Sequence, residues 1–290
     1  MAKLKTFLNM VKFEHTIFAL PFAYLGMVLA WGSWEAANWW DFIWITVAMA
    51  AARTAAMSLN RYIDRRIDAR NPRTEKRPIQ AGAIDANTVL FYAAVSLVIL
   101  GAASWLLDPL ALILFPGALA FLVGYSYTKR FTWLCHYILG FTDGLAPMGA
   151  WVAVRGSVFT AEDLPAWLLL AIVTLWIGGF DVIYACQDVA FDKKEGLHSI
   201  PARFGVQRGL QVAALSHILT VGLLVVLGIT SGLGWPFWLG VTAVAGLLIY
   251  EHSLVRPDDL SKLGVAFFNI NGYISVTIFV ATFAAVLFEN

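Results

Sequence analysis

Nine long apolar stretches constrain the fold of this chain more than any other feature. A helix needs ~20 mostly apolar residues to cross the hydrocarbon core of a bilayer, and a helix satisfies its own backbone polar groups there. The composition agrees, because 60% of the 290 residues are hydrophobic and 13% are charged, whereas about a quarter are charged in soluble domains. We therefore predict a single all-α membrane domain over 1–290 with nine transmembrane helices. The nine segments are 16–34, 38–60, 86–107, 109–127, 133–154, 163–187, 209–230, 234–255 and 265–288.

The basic residues predict the orientation of these segments. Alternate loops carry 18 of the 20 Lys and Arg residues, beginning with Lys3, Lys5 and Lys12. Loops rich in Lys and Arg stay in the cytoplasm, so we predict a cytoplasmic N-terminus and an external C-terminus. A cleaved signal peptide is the alternative for the first segment, but its removal would break the alternation of the remaining loops.

Two acidic clusters end two of the apolar segments. Asn60, Asp64 and Asp68 follow the second segment at i, i+4 and i+8, and Asp188 and Asp192 follow the sixth. Residues four apart are neighbours on a helix, so each cluster is predicted to lie on one helical face. Both acidic steps, 64 to 188 and 68 to 192, span 124 residues. Carboxylates at membrane depth are costly and indicate a functional site.

The spacing also indicates pseudo-repeated halves. The second and sixth segments run in the same direction, and each precedes a long loop, 61–85 or 188–208, with Pro and Gly in its second half. Halves related in this way would face their acidic clusters across a central cavity. Both clusters, with their loops, are predicted to lie near the cytoplasmic face.

Oxygen ligands beside basic residues suit magnesium carrying a diphosphate. Mg²⁺ binds through one or two carboxylates together with substrate phosphate. We predict one ion on Asn60, Asp64 and Asp68, and a second on Asp188 and Asp192, with a lipid diphosphate as substrate. The alternative is that these acids pair with neighbouring basic residues at solvated helix ends. Those neighbours are Arg61, Arg65, Arg66 and Lys193.

Basic residues on the same face are candidates for binding the diphosphate. Arg can grip phosphate through two hydrogen bonds, and Lys acts as a point charge. Each of them could instead serve only to set the topology. Tyr127 could donate to a phosphate oxygen, or it could belong to the aromatic belt at the interface. The basic candidates are Arg65, Arg73, Arg77, Lys129, Arg130 and Lys193.

Arg53 lies inside an apolar segment, seven residues before Asn60. A guanidinium there is costly unless it is paired. It could bind the carboxylate of an acidic acceptor beyond the diphosphate, or it could be neutralised by Asp181 of the facing segment. The net charge of +1 gives no reason to expect a nucleic-acid partner.

The motifs resemble those of the UbiA superfamily of intramembrane prenyltransferases. The similarity lies in Asn60-x₃-Asp64-x₃-Asp68 and in Asp181-x₂-Tyr184-x₃-Asp188-x₃-Asp192, and it extends over nearly the whole chain. Within the superfamily, the chain looks most like the quinone-pathway group. That group includes 4-hydroxybenzoate polyprenyltransferases and their relatives on the futalosine route to menaquinone.

The resemblance implies nine helices around a cavity that opens to lipid, in a bacterial or archaeal cytoplasmic membrane. It implies Mg²⁺-dependent transfer of a polyprenyl group from its diphosphate to a ring carbon of an aromatic acid, in ubiquinone or menaquinone biosynthesis. The acceptor is expected to resemble 4-hydroxybenzoate, with a naphthoate-type acid as the alternative. Asp64, Asp68, Asp188, Asp192 and Tyr184 would be catalytic, and Arg53 and Asp181 would lie near the acceptor. Candidates for the aromatic wall are Phe18, Phe22, Tyr24 and Tyr184.

Two other classes fit the sequence less well. An ion-coupled transporter would use intramembrane charges near the midplane, whereas the acidic clusters end their segments. CDP-alcohol phosphotransferases carry two acidic pairs in one continuous motif, and no acidic pair follows Gly82 here. The sequence leaves open which group removes the ring proton.

Overall fold

The computed structural model describes residues 6–7, 10–11 and 16–288, without the side chains of 16–19 and 267–268. Lys3, Lys5 and Lys12, which entered the orientation argument, lie outside these residues, as does the side chain of Phe18. Within the described part, the chain is helical and contains nine helices of 16 residues or more. They are α1 Thr16–Trp31, α2 Trp39–Ile63, α3 Ala86–Leu107, α4 Pro109–Thr128, α5 Cys135–Arg155, α6 Leu164–Ala185, α7 Val206–Thr230, α8 Trp235–Ser253 and α9 Asn271–Phe288.

These helices correspond one to one with the predicted apolar segments. Six of them, α2, α3, α4, α6, α7 and α9, are long and apolar enough to cross a membrane on those criteria alone. The apolar part of α1 is shorter, and α5 and α8 do not meet the same criteria. Polar residues such as Asp143 in α5 and Glu251 in α8 lower their hydropathy. The structure thus supports an integral membrane protein, and nine crossings stay a prediction.

Local chemistry accounts for several helix ends. Asn38 accepts a hydrogen bond from the backbone N–H of Trp40 at the start of α2, and Asp85 caps α3 in the same way. Asp108 caps α4, which then begins with a proline. Such caps satisfy N–H groups that have no partner within the helix. Gly156 ends α5 with φ of 61°, a backbone conformation that favours glycine.

Small residues let α5 pack closely between α1 and α6. A side chain at Gly140 or Gly144 would collide with the backbone of α6, and one at Gly26 would collide with Pro147 of α5. Close approach through small residues is how helices associate when lipid surrounds them. This packing brings α5 beside α2 and α6, the helices that precede the two acidic clusters.

The chain breaks its helices at both clusters. Helix α2 ends at Ile63, Asp64 caps it, and a separate short helix covers Arg65–Asp68. Likewise α6 ends at Ala185, and a 3₁₀ turn Cys186–Asp188 leads into a short helix Val189–Glu195. Neither cluster lies on an uninterrupted helix, but the i→i−4 hydrogen bonds from Asp64 to Asn60 and from Asp68 to Asp64 persist across the first break, so the predicted helical spacing holds there. Irregular backbone at membrane depth is tolerated where it lines a cavity.

The predicted orientation can be tested with reporters. A reporter that is active only in the periplasm should be active when fused after Asn290 and inactive when inserted at 70–76. The reason is that 18 of the 20 basic residues lie in alternate loops, and such loops stay in the cytoplasm. Activity measured in intact cells reports the side. A cytoplasmic location for Asn290 would mean an even number of crossings and would contradict the nine-helix topology.

Candidate active site

A cavity of about 730 Å³ opens among α1, α2, α4, α5 and α6, within the usual size of a small-molecule site. Its rim consists of charged and polar residues from the ends of α2, α4 and α6 and the segments that follow them. Its inner part is mostly apolar and aromatic, including Phe22, Met49, Trp176 and Phe180. The cavity therefore has a charged end and an apolar end.

Each acid of the two clusters contacts a basic side chain. Asp192 is fully buried and lies outside the cavity lining, covered by Lys129 and accepting a hydrogen bond from Ser199. The other three acids line the cavity. The pairs are Arg130–Asp64 at 2.9 Å, Arg77–Asp68 at 2.6 Å, Arg73–Asp188 at 2.6 Å and Lys129–Asp192 at 2.8 Å.

Asp188 joins the two halves of the chain. The guanidinium of Arg73 donates from Nε to one carboxylate oxygen at 3.1 Å and from Nη2 to the other at 2.6 Å. Asn71 donates to the same carboxylate at 3.3 Å, and Arg73 also donates to the Tyr184 hydroxyl at 2.8 Å. These bonds hold the loop after α2 against the end of α6. Both acidic clusters thereby share one rim.

Partial burial perturbs the charged groups of the rim. Burial raises the pKa of Asp64 above its ordinary value, and the hydrogen bond from Arg130 only partly opposes this. Burial also acts to lower the pKa of Lys129, but the Asp192 carboxylate outweighs it, and the pKa is raised. The rim thus keeps Lys129 cationic, while the Asp64 carboxylate gains from additional positive charge beside it.

The donor chemistry of the rim fits Mg²⁺ only together with substrate. Among the described residues, no three Asp, Glu, His or Cys side chains lie close enough to hold a metal by themselves. The cavity nevertheless presents hard oxygen donors from Asn60, Asp64, Asp68 and Asp188. Mg²⁺ needs only one or two carboxylates when substrate phosphate and water complete its shell. The residues therefore fit an ion that binds with a diphosphate.

Arg53 lies deeper in the same cavity and is not paired with Asp181. Within the described residues it forms no ion pair, and its buried Nε has no hydrogen-bond partner. Asp181, which also lines the cavity, instead contacts Nδ1 of His136 at 2.6 Å. Nε2 of His136 accepts a hydrogen bond from the backbone N–H of Ile200 at 3.2 Å, so Nδ1 carries the proton toward Asp181. The structure therefore contradicts the alternative in which Asp181 neutralises Arg53.

Several predicted residues do not line the cavity. The guanidinium of Arg65 donates to the Tyr62 carbonyl at 2.6 Å and lies over the Tyr62 ring. Tyr127 is 42% exposed and lies under Arg130, and Lys193 is exposed. Of the proposed aromatic wall, Phe22 and Tyr184 line the cavity and Tyr24 does not. These side chains lie outside the cavity because their helices turn them toward other surfaces.

Sequence reasoning also missed cavity residues. Arg61 lines the rim, donating to Asn60 at 3.1 Å, and Trp176 and Phe180 line the inner part. Asp143 projects from the middle of α5 into the cavity lining. The signal for Asp143 was present, because it is an ionisable residue inside an apolar segment, as Arg53 is. Trp176 and Phe180 carried no such signal in an aromatic-rich chain.

Comparison with known proteins then decides the family. A model of the UbiA prenyltransferase family matches residues 19–273, most of the chain. The chain belongs to the UbiA family. It is a prenyltransferase, and the transporter and phosphotransferase alternatives are excluded.

Individual relatives of this UbiA-family chain agree with that placement. It is 32% identical over 256 residues to a 4-hydroxybenzoate octaprenyltransferase of Aromatoleum aromaticum, covering 87% of this chain and 85% of that protein. The apo structure of a UbiA homologue from Aeropyrum pernix K1 is 33% identical, with a TM-score of 0.85 over 94% of this chain and 98% of that one. A UbiA homologue from Archaeoglobus fulgidus bound to DMAPP and Mg²⁺ shares the fold, with a TM-score of 0.69 at 18% identity, covering 97% and 99% of the two chains.

Proposed function

We propose that this protein transfers a polyprenyl group from polyprenyl diphosphate to a ring carbon of a 4-hydroxybenzoate-like aromatic acid, with Mg²⁺. The observation that carries the proposal is the polarity of the cavity. Oxygen donors and cations surround its rim, and Arg53, which forms no ion pair with any described residue, lies in its inner part. A diphosphate and an aromatic carboxylate would then bind at opposite ends of one cavity, with the reacting carbons between them.

At the rim, the chain's own cations would bind the diphosphate. Arg73, Arg77, Lys129 and Arg130 line the cavity and are held in place by the acids. These cations would donate hydrogen bonds to phosphate oxygens. Bound Mg²⁺ would neutralise charge on the departing diphosphate. Asn60, Asp64, Asp68 and Asp188 would hold the metal, with Asp192 joining only if it leaves Lys129.

The inner part would stabilise the electrophile and orient the acceptor. As the bond from prenyl carbon to diphosphate oxygen breaks, positive charge develops on the allylic carbons. Phe22, Trp176, Phe180 and Tyr184 line the cavity, and aromatic rings there would stabilise that charge while excluding water. Arg53 would bind the acceptor carboxylate through paired hydrogen bonds. The ring carbon then forms a bond to the prenyl carbon as the diphosphate departs, and the ring proton passes to the released diphosphate or to water.

The names of the relatives support the acceptor class. The Aromatoleum protein is a 4-hydroxybenzoate octaprenyltransferase, and so is the relative in Aliivibrio fischeri, at 28% identity over 253 residues. We infer that the reaction belongs to quinone biosynthesis. The basic loops support an active site at the cytoplasmic face of a bacterial or archaeal membrane. The other acceptor considered, a naphthoate-type acid, has the same carboxylate for Arg53 but a second ring.

The test is product identification. Purified protein in lipid nanodiscs is incubated with Mg²⁺, prenyl diphosphates of several lengths, and benzoate- and naphthoate-type hydroxy acids, and the products are identified by mass. We expect an adduct with a carbon–carbon bond to 4-hydroxybenzoate and release of diphosphate. Prenylation of acceptors without an acid group in preference to acids would contradict the proposed acceptor class.

Two neighbouring arginines test the diphosphate end. Arg73 lies in the cavity, whereas Arg70 pairs with Glu195 outside the lining, with 56% of its side chain exposed. We expect Arg73→Ala to raise the KM for prenyl diphosphate by about ten- to a hundredfold, the effect of losing a charged hydrogen bond. Arg70→Ala should change it less than about threefold, because exposed pairs contribute little. If steady-state kinetics shows the same change in KM for Arg73→Ala and Arg70→Ala, Arg73 does not bind the diphosphate.

A further inference from the structure

Asp143 carries a carboxylate inside the membrane domain. It lies in the middle of α5, lines the cavity, and is accessible to solvent. Among the residues that the structure describes, it forms no hydrogen bond or ion pair. Holding such a carboxylate within a bundle is costly and indicates a function.

Its electrostatic neighbours are Arg53 and Asp181. Asp181 is already bonded to His136 at 2.6 Å, so among the described residues of the inner part Arg53 and Asp143 are the charges without an ion pair. They belong to different helices, α2 and α5, and do not form an ion pair with each other. The inner part thus presents a cation and a hydrogen-bond acceptor to the same volume.

We propose that Asp143 determines acceptor specificity by accepting a hydrogen bond from the acceptor's aromatic hydroxyl group. This rests on the proposed function, in which the carboxylate of the same molecule binds Arg53. A hydroxyaryl acid would satisfy both charges at once. Asp143 would bind and orient the hydroxyl group, and the ring carbons beside that group would be turned toward the prenyl carbon.

The chemistry of a carboxylate makes this recognition selective. An ionised carboxylate only accepts hydrogen bonds, so it favours a hydroxyl group over a methoxy group of similar electronic character. It also repels a second acid group on the ligand. A cavity built to hydrogen-bond a hydroxyl group discriminates against analogues that lack it.

The alternative is that Asp143 only balances the charge of Arg53 across intervening water. In that case, removing Asp143 would alter the binding of every aromatic acid alike. The hydroxyl group would make no difference. The two roles therefore separate in a comparison of ligands rather than in activity.

The experiment measures the binding of aromatic acids without prenyl diphosphate, by calorimetry on the full chain in nanodiscs. The ligands are benzoate, 4-hydroxybenzoate and 4-methoxybenzoate, and the variants are Asp143→Leu and Asp143→Asn. The matched control is Glu162→Gln, whose side chain is 76% exposed outside the cavity. The unaltered protein should bind the hydroxy acid about ten- to a hundredfold more tightly than the methoxy acid. Asp143→Leu should reduce that ratio to about one.

The Asn variant keeps the proposal testable if the Leu variant does not fold. An amide can also donate a hydrogen bond, so Asp143→Asn should bind the methoxy acid more tightly than the unaltered protein does. An unchanged hydroxy-to-methoxy ratio in folded Asp143 variants would overturn the proposal and leave the proposed function standing. Failure of the unaltered protein to bind any aromatic acid would overturn both.

Discussion

Replacing either Asp64 or Asp188 with alanine is expected to reduce prenyl transfer by about a hundredfold or more. Each change removes a hard oxygen donor from a different half of the rim. Losing even an outer partner of a metal ligand commonly costs ten- to a hundredfold, and a diphosphate needs its charge neutralised to depart. Chelation of divalent ions should have the same effect on the unaltered enzyme, and added Mg²⁺ should restore activity.

The ion pairs of the rim require a control for folding. Asp64 and Asp188 hold Arg130 and Arg73, so their loss could disturb the loops rather than the metal. Thermal unfolding in detergent should show both variants folded. Asp258→Ala removes an exposed carboxylate from a loop outside the cavity and should leave turnover unchanged. Near-normal turnover by a folded Asp64 or Asp188 variant would refute the shared rim site.

Replacing Arg53 with alanine is expected to raise the KM for the aromatic acid by about ten- to a hundredfold, the effect of losing a charge-assisted hydrogen bond. The KM for prenyl diphosphate should change little, because Arg53 lies two helical turns deeper than Asn60 on the same helix. Arg53→Lys should rescue the variant poorly, because an ammonium lacks the two-pronged geometry of a guanidinium. Steady-state kinetics with each substrate varied in turn measures the difference.

A purely structural role for Arg53 predicts another pattern. The Arg53→Ala variant would then show an equal rise of KM for both substrates, or it would unfold. Since Asp181 contacts His136 rather than Arg53, the Arg53→Ala/Asp181→Ala double variant should not recover stability. Recovery of stability in the double variant, or an equal rise of KM for both substrates, would exclude binding of the acceptor carboxylate by Arg53. Arg155→Ala is the matched control, because its ion pair with Glu162 lies outside the cavity.

Much of the helical layout was predictable because hydropathy is a local property. The predicted segment 86–107 has the bounds of α3, and 109–127 differs from α4 by one residue. The breaks after Ile63 and Ala185 were not predictable from i, i+4 spacing. That spacing describes a regular helix, and neither motif contains Gly or Pro to mark an interruption. Whether backbone can be irregular there depends on the surrounding protein and cavity.

The residues of the candidate site were also predictable only in part. Asp64, Asp68 and Asp188 were singled out by charge at the ends of apolar segments, and the structure brings them to one rim. Arg65, Tyr127 and Lys193 satisfied the same argument, yet their side chains lie outside the cavity lining. Position along the chain indicates the membrane face of a residue. It does not indicate which way the side chain points.

By itself, the sequence determined the membrane character of this protein, the number and approximate bounds of its long helices, and the positions of its two acidic motifs at helix ends. These follow from residue type and short-range spacing. Only the tertiary structure decided that Arg53 and Asp143 face one cavity without an ion pair to any described residue, and that Asp181 contacts His136. Such pairings depend on how α2, α5 and α6 are rotated and how closely glycines let them approach. Helix rotation is a collective result of packing along the whole helix, so no single motif encodes it.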